Sequence, residues 1–304
     1  MKPVAGGIEA GGTKCIGVIG SGPDDIRAEI RIPTTDPQTT TGELLRFFTD
    51  YENSNGKLSA LGIASFGPLD LAPASPTYGS IMSTTKPGWS YTRMLSAFHD
   101  ALRIPVAIDT DVNVAAFGEY CWGAAQDMEN FLYLTIGTGI GGGGRINGKF
   151  MHGLTHPEMG HVRVPQDHIA DPFDGVCPFH GNCLEGLASG PALEKRWGQK
   201  PETLEENHPG WKLEAQYLGY GIINYICTLS PEKIILGGGV MQKKHLFPLI
   251  RSEVVTRLNG YILSPMLDAY IDDYLCPPAL GNKAGVYGAL ALALQEIDCL
   301  SGII

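Results

Sequence analysis

The sequence has 304 residues, of which 43% are hydrophobic and 18% are charged, and its formal net charge is -10. This length exceeds the size at which a single core usually continues to grow, so we predict two lobes with a cleft between them. The composition is that of a globular protein, and no run approaches the roughly 18 apolar residues that a membrane span needs. Lysines and arginines do not cluster, so we expect no nucleic-acid surface. An anionic ligand would be bound by backbone N–H groups and a metal ion.

The N-terminal residues and the cysteines indicate the compartment. The chain enters a predicted strand within its first nine residues and shows no signal-peptide pattern, so we expect a cytoplasmic protein. The seven cysteines are odd in number and scattered, which does not form a disulfide framework in a chain of this size. Five of them are expected to behave as small core side chains.

The first third of the chain predicts a meander followed by alternating helices and strands. Strands are predicted at 4–9, 14–19 and 28–32, with glycine turns between them. Helices near 41–51 and 91–102 alternate with strands at 60–64 and 106–108. This order indicates an open mixed sheet.

A similar order begins again at Asn130. A strand is predicted at 131–136, and it is followed by a glycine run, a hairpin at 144–148, a helix at 216–229 and a strand at 233–236. Two similar halves are indicated, although the repeat in sequence is weak. The stretch 165–182 is rich in Pro, Gly, His and Asp, and it would be a long unstructured loop unless something local fixes it.

Three glycine turns, each after an apolar strand, are candidate nucleotide-binding elements. The first follows Glu9, and its glycines would let the backbone approach a phosphate closely. The second contains a Gly-x-Gly-x-x-Gly pattern, but a dinucleotide site needs a helix directly after the glycines, whereas a strand and hairpin follow here. The third follows the strand at 233–236 and could hold a flat ligand or pack a strand on a helix. The candidate ATP-binding residues are Gly11, Gly12, Thr13, Lys14, Thr138, Gly139, Gly237, Gly238 and Gly239.

Together these turns resemble the ROK family of sugar kinases and sugar-responsive repressors, within the actin-like ATPase superfamily. The resemblance is nearest to bacterial ROK fructokinases, and it rests also on the segments 65–68, 75–79 and 84–89. It implies an α/β protein with a two-lobed actin-like ATPase (ribonuclease H-like) fold, in which helices flank a mixed sheet in each lobe. We expect an N-terminal lobe of residues 1–115, joined by a C-terminal helix at about 287–304, and a C-terminal lobe of residues 116–286.

An acid follows the predicted strand at 106–108. Asp111 would begin an Ala-rich helix, where it could cap the helix or act in the cleft. The resemblance aligns the family's Asn-Asp-x-Asn motif on residues 110–113, and it implies that Asp111 is the base that deprotonates the sugar hydroxyl. It also implies sugar contacts from Asn113, Gly67 and Pro68. Thr110 stands where many relatives have Asn, so a glucose specificity does not transfer directly.

The sequence also predicts a metal site. Cys177, His180 and Cys183 supply three nitrogen or sulfur ligands within seven residues, and His161 could complete a tetrahedral zinc site, with His168 as a substitute. All four positions would be filled by protein, so we interpret the zinc as structural. The resemblance implies that Glu158, His161 and Glu185 contact the sugar. A further hypothesis is that His161 serves sugar and zinc with opposite ring nitrogens.

The predicted function is transfer of the γ-phosphate of Mg-ATP to a hexose, giving ADP, with fructose preferred. A mannose or glucose kinase and a non-catalytic sugar-responsive regulator remain alternatives. We expect no winged helix-turn-helix, because the first phosphate turn begins at residue 7. The resemblance implies a homodimer.

Overall fold

The computed structural model describes residues 3–300 and divides into two compact units. Unit 1 comprises the described residues of Met1–Asp127, Met151–His156 and Lys283–Ile304, and unit 2 comprises Met128–Phe150 and Pro157–Asn282. The chain therefore passes from one unit to the other four times. Each unit is built on its own five-stranded sheet.

The sheet of unit 1 has the strand order β3-β2-β1-β4-β5. The first three strands pair antiparallel, as predicted, whereas β4 pairs parallel with β1, and β5 pairs parallel with β4. The central strands are buried, which explains their apolar and glycine-rich sequences. The five strands are β1 (Ala5–Ala10), β2 (Lys14–Gly22), β3 (Asp25–Pro33), β4 (Leu61–Ser65) and β5 (Val106–Thr110).

Four helices complete unit 1: α1 (Pro37–Asn55), α2 (Met94–Leu102), α3 (Asp111–Trp122) and α9 (Ala284–Leu300). Helix α9 lies directly on β1 and β4, since a Cβ atom on Gly62 would be only 1.9 Å from the carbonyl oxygen of Ala289. Glycine is required at this position for the close approach of the helix to the sheet. The predicted lobe boundary at residue 115 lies inside α3, which belongs entirely to unit 1.

The sheet of unit 2 has the strand order β10-β9-β6-β7-β8. Strand β6 pairs antiparallel with β7 and parallel with β9. The strands are β6 (Phe131–Ile136), β7 (Ile140–Ile146), β8 (Lys149–Phe150), β9 (Lys233–Gly237) and β10 (Leu275–Cys276). The glycine run 141–144, which was predicted to separate a strand from a hairpin, lies within β7. The predicted hairpin at 144–148 is formed by the end of β7 and by β8. A Cβ atom on Gly142 would lie 2.6 Å from Met159 Sδ, so these glycines allow close packing on the strand.

Five helices belong to unit 2: α4 (Leu184–Ala188), α5 (Gly190–Trp197), α6 (Gly210–Leu229), α7 (Leu246–Leu258) and α8 (Ile271–Tyr274). In both units, helices flank a mixed sheet, which confirms the predicted α/β class. Across residues 3–300, the structure contains no helix that is long and apolar enough to cross a membrane.

Candidate functional site

The first glycine turn joins β1 to β2 and leaves Gly12 open. The turn is closed by a hydrogen bond from Gly11 N to Lys14 O (3.0 Å), and Thr34 Oγ1 donates to Gly11 O (2.7 Å). A Cβ atom on Gly12 would meet no heavy atom of the described chain within 4 Å beyond its chain neighbours, and its φ is not left-handed. Neither packing nor conformation requires a glycine here. Open backbone of this kind suits the close approach of a phosphate.

Glu9 lies at the end of β1, directly before this turn. Burial raises the pKa of its carboxyl group, while Lys14 opposes the increase. Among the residues that the structure describes, no group forms a hydrogen bond with Glu9 Oε2. A buried carboxyl oxygen beside a phosphate-type turn is the kind of donor that fits hydrated Mg²⁺.

Asp111 is the first residue of α3, where the parallel strand β5 ends. Its Oδ1 atom accepts a hydrogen bond from Val112 N (2.9 Å), and the side chain is half-buried. Thr110 caps the helix, with its Oγ1 accepting from Asn113 N (3.3 Å). The cap is therefore supplied by Thr110, and Asp111 is held at the helix N-terminus by its contact with Val112 N.

The buried Asp109, next to Asp111, pairs with the exposed His152, and the sequence did not predict this network. Asp109 Oδ2 lies 2.8 Å from His152 Nε2, and Asp109 Oδ1 accepts from Thr110 N (2.7 Å) and Asn113 Nδ2 (2.9 Å). The hydrogen bond to Asp109 raises the pKa of the His152 imidazole, and the charge of Asp109 adds to this effect. The side chain of Asn113 is fully buried in this network. No local signal could have paired residues 109 and 152, because they are distant in sequence.

The loop after β4 contains Gly67 and Pro68, joined by a cis peptide bond. Leu69 N donates to His156 Nε2 (3.1 Å), and the His156 side chain is buried. Met82 N donates to Pro68 O (2.7 Å). The loop predicted to contact the sugar is thus fixed by His156, a residue to which the sequence had assigned no role.

In unit 2, the second and third glycine turns lie side by side, because they follow the neighbouring parallel strands β6 and β9. A Cβ atom on Gly137 would lie 3.6 Å from Gly239 N, and one on Gly238 would lie 2.3 Å from Ile136 O. Gly238 also has a φ of 94°, so glycine is required there by conformation. Gly239 resembles Gly12, since a Cβ atom on it would meet nothing within 4 Å in the described chain beyond its neighbours.

Glu185 contacts the second glycine turn. Its Oε2 atom accepts a hydrogen bond from Ile140 N (2.9 Å), and a Cβ atom on Gly139 would lie 2.6 Å from the same oxygen. Gly190 N, at the start of α5, donates to Gly137 O (2.7 Å). The turn around Thr138 is therefore held from both sides by the segment that contains α4 and α5.

The four predicted metal ligands are brought together. One ligand atom each from His161, Cys177, His180 and Cys183 lies within 4.8 Å of the others. His161 Nδ1 is 3.6 Å from Cys177 Sγ and 3.5 Å from Cys183 Sγ, and His180 Nδ1 is 3.7 Å from Cys177 Sγ. Zinc with ordinary bond lengths would place such ligand atoms about 3.6 Å apart in a tetrahedron. The donor set and spacing therefore fit zinc, and His168 lies outside the group.

The remaining nitrogen of His161 faces Glu158. His161 Nε2 is 4.0 Å from Glu158 Oε2, and the Glu158 side chain is 53% exposed. The metal-facing and acid-facing nitrogens of this ring are thus different, which is the arrangement that a residue serving both groups requires.

The loop that carries the cysteines is also fixed by a buried ionic cluster. Asp171 Oδ1 is 3.3 Å from Arg196 Nε, and Asp171 Oδ2 accepts from Tyr217 Oη (2.5 Å). Glu214 on α6 is fully buried beside Arg196, and burial raises the pKa of its carboxyl group well above the usual range. Asp171 already balances the charge of Arg196, so Glu214 is held in its neutral form.

Comparison with known proteins identifies the family. The pattern that defines the ROK family matches residues 5–296. The chain belongs to the ROK family. The fructokinase of Lactococcus lactis subsp. cremoris is 43% identical over 294 residues, which cover 96% of this chain and 98% of that protein. The fructokinase of Pediococcus pentosaceus is 41% identical over 288 residues, which cover 95% and 96%.

Solved ROK structures share the fold. The ROK hexokinase of Thermus thermophilus matches with a TM-score of 0.79 and 26% identity, over 97% of this chain and 99% of that one. The predicted actin-like ATPase fold is thereby confirmed. Within this ROK protein, unit 1 carries Asp111 and the first glycine turn, and unit 2 carries the other two turns and the Cys/His group.

Proposed function

We propose that the protein is an ATP-dependent fructokinase, which transfers the γ-phosphate of Mg-ATP to D-fructose and gives fructose 6-phosphate. The observation that carries this proposal is the identity of 41–43% to fructokinases over at least 95% of the chain. The three glycine turns and Asp111 fit the same activity. We further propose that the enzyme acts in the cytoplasm as a homodimer.

Asp111 is the proposed catalytic base. Its carboxylate would accept the proton of the attacking sugar hydroxyl while that oxygen forms a bond to the γ-phosphorus and the bond from the γ-phosphorus to the bridging oxygen of ADP breaks. A positioned base contributes typically about 10²–10⁴-fold, whereas most of phosphoryl transfer is positioning and charge stabilisation. The Val112 N–H holds the carboxylate in place.

We assign phosphate contacts to residues 11–14 in unit 1, and the remaining nucleotide contacts to Thr138 and Gly139 and to residues 237–239 in unit 2. Gly12 and Gly239 support this assignment, since the space beside each backbone is empty and no packing contact within the described chain requires a glycine there. Mg²⁺ neutralises the phosphates when it is bound with ATP, and Glu9 is the carboxyl group that fits it in unit 1.

Sugar contacts are assigned to Asp111, Glu158, His161 and Glu185, and to the loop at Gly67 and Pro68. Carboxylates suit a polyol because they accept hydrogen bonds from its hydroxyl groups. Glu185 would use its second oxygen, since Oε2 already accepts from Ile140 N. Asn113 is also assigned to the sugar site, and its Nδ2 atom donates to Asp109 Oδ1 (2.9 Å), which fixes its side chain.

The Cys/His group is proposed to hold structural zinc. Four protein ligands would leave no position for a reactive water, so the metal would fix the segment that carries His161 and, through it, Glu158. His161 would then bind zinc through Nδ1 and the sugar through Nε2.

A coupled assay of ADP release tests the function. We expect Mg-ATP turnover with fructose, weaker turnover with mannose, and least with glucose and N-acetylmannosamine. Asp111→Asn should lower kcat by at least about 10²-fold with little change in ATP binding. A higher kcat/KM with mannose or glucose than with fructose would show that fructose is not the preferred substrate. Sugar binding without ADP release would favour a non-catalytic sugar-responsive regulator.

A further inference from the structure

The loop Thr84–Ser90 of unit 1 has a fixed conformation. Trp89 is fully buried, its Nε1 donates to Thr35 O (2.7 Å), and its ring packs edge-on against Phe66 with centroids 5.2 Å apart. At the ends of the loop, Thr84 N donates to Ser90 Oγ (3.2 Å). These contacts anchor the loop, so the one lysine that it contains has a defined position.

That residue is Lys86, and its amine lies on the first glycine turn. Lys86 Nζ donates to Gly12 O (2.6 Å) and to Thr34 O (3.4 Å). Holding a lysine side chain in one conformation costs up to about 2 kcal/mol of rotamer entropy, which the contacts to Gly12 O and to the partly buried Thr34 O offset in part. The arrangement is better explained if the ammonium group also binds something that the turn holds.

A phosphate is the ligand that matches this position. An ammonium group has three donors, and two carbonyl contacts leave one for a further acceptor. Gly12 has open backbone beside it, where nothing in the described chain would meet a Cβ atom. The chain as a whole carries a net charge of -10, so a local cation is needed where the negative terminal phosphates bind.

We propose that Lys86 donates a charge-assisted hydrogen bond to the terminal phosphates of the bound nucleotide and to the phosphoryl group as it is transferred. This inference rests on the proposed function, because it takes Mg-ATP as the phosphoryl donor. Lys86 is thereby a phosphate-contacting residue in addition to Lys14. Lys86 contacts only the β- and γ-phosphates, so the binding of adenosine and of AMP does not depend on it.

The test compares wild type with Lys86→Met, Lys86→Gln and Lys86→Arg. Calorimetry measures the Kd of Mg-ADP and AMP, and the coupled assay measures kcat and the KM for Mg-ATP. We expect the Met and Gln variants to bind Mg-ADP about 10–100-fold more weakly and AMP within twofold of wild type. Their kcat should fall by about 10²-fold or more, with partial recovery in Lys86→Arg. Lys57→Met is the matched control, because Lys57 is 72% exposed and pairs with Glu52.

Three outcomes would overturn the proposal. One is unchanged Mg-ADP affinity and turnover in both neutral variants. Another is an equal loss of AMP and Mg-ADP affinity, which would show that Lys86 only orders the turn. The last outcome applies if Lys86→Met does not fold: full activity in Lys86→Gln would then overturn the proposal. A wild type that binds Mg-ADP but releases no sugar-dependent ADP would instead refute the fructokinase proposal, and the comparison of Mg-ADP with AMP would still decide the role of Lys86.

Discussion

Replacement of Gly12 by alanine separates a glycine kept for a ligand from one kept for the fold. A Cβ atom at this position meets nothing within 4 Å in the described chain beyond its neighbours, and φ is not left-handed. Gly12→Ala should therefore stabilise the protein by about 0.4–1 kcal/mol, since alanine restricts the unfolded chain. For a protein of this size, that gain corresponds to a Tm increase of about 1–3 °C.

The same methyl group would occupy the space into which we place a phosphate. Binding of Mg-ADP should weaken at least about tenfold, equivalent to about 1.4 kcal/mol. Calorimetry measures the affinity, and thermal unfolding without ligand measures the stability. The prediction is thus a gain in stability together with a loss in affinity, which is rarely produced by damage to the fold.

Gly42 and Gly62 supply the controls. Gly42 lies inside α1 and is equally unobstructed, so Gly42→Ala should stabilise by about 1 kcal/mol and leave nucleotide binding unchanged. Gly62→Ala should destabilise strongly, because its Cβ atom would overlap Ala289 O. If Gly12→Ala bound Mg-ADP as wild type does, the open turn would not be a phosphate surface, and if it unfolded readily, the steric argument would be wrong.

Three further measurements concern the titrating groups and the metal. In the unfolded chain, Glu214 loses its proton near pH 4.5, whereas in the folded protein it keeps the proton to higher pH. The stability of wild type relative to Glu214→Gln should therefore decrease above pH 4.5, by up to about 1.4 kcal/mol per pH unit. Urea titrations measure this difference, and a difference that does not change with pH would contradict a neutral Glu214. Because the pKa of His152 is raised, its pairing with Asp109 stabilises the fold at low pH, and this contribution is lost as the pH rises through the raised pKa. In NMR titrations, Asp109→Asn should return the pKa of His152 towards about 6.5. An unchanged His152 pKa in this variant would exclude Asp109 as the cause. Elemental analysis should find about one zinc per chain, and chelation of the zinc should lower the Tm. Cys183→Ser should lose the metal, whereas the control Cys227→Ser should keep it, because Cys227 is exposed. Zinc retained in Cys183→Ser would refute the ligand set.

The fold was largely predictable because it follows from local patterns. The antiparallel meander, the mixed sheet and the position of Asp111 at a helix start all come from hydrophobic periodicity and turn residues. The glycine run 141–144 was not predicted as part of a strand, because glycine is rare in strands. Only tertiary packing, such as that of Met159 on Gly142, explains why glycines are tolerated in β7.

The candidate site was predictable only where its residues are close in sequence or match a family pattern. The spacing from Cys177 to Cys183 identified a metal site, and the structure brings His161 to it. The pairing of His152 with Asp109 and the contact of Lys86 with Gly12 join residues far apart in sequence, so no local pattern could reveal them. The contact of Glu185 with Ile140 is of the same kind.

The packing of α9 on β1 and β4 has a consequence for synthesis of the chain. Ala284, at the start of α9, follows Ala10, at the end of β1, by 274 residues. At about 5–20 residues per second, a ribosome needs about 14–55 s to reach α9 after it has made β1. Once β4 has also been made, the sheet surface at Gly62 has no helix to cover it until α9 follows, and transiently exposed apolar surface favours association with other chains or with chaperones. The core of unit 1 can therefore be completed only when nearly all of the described chain has been made.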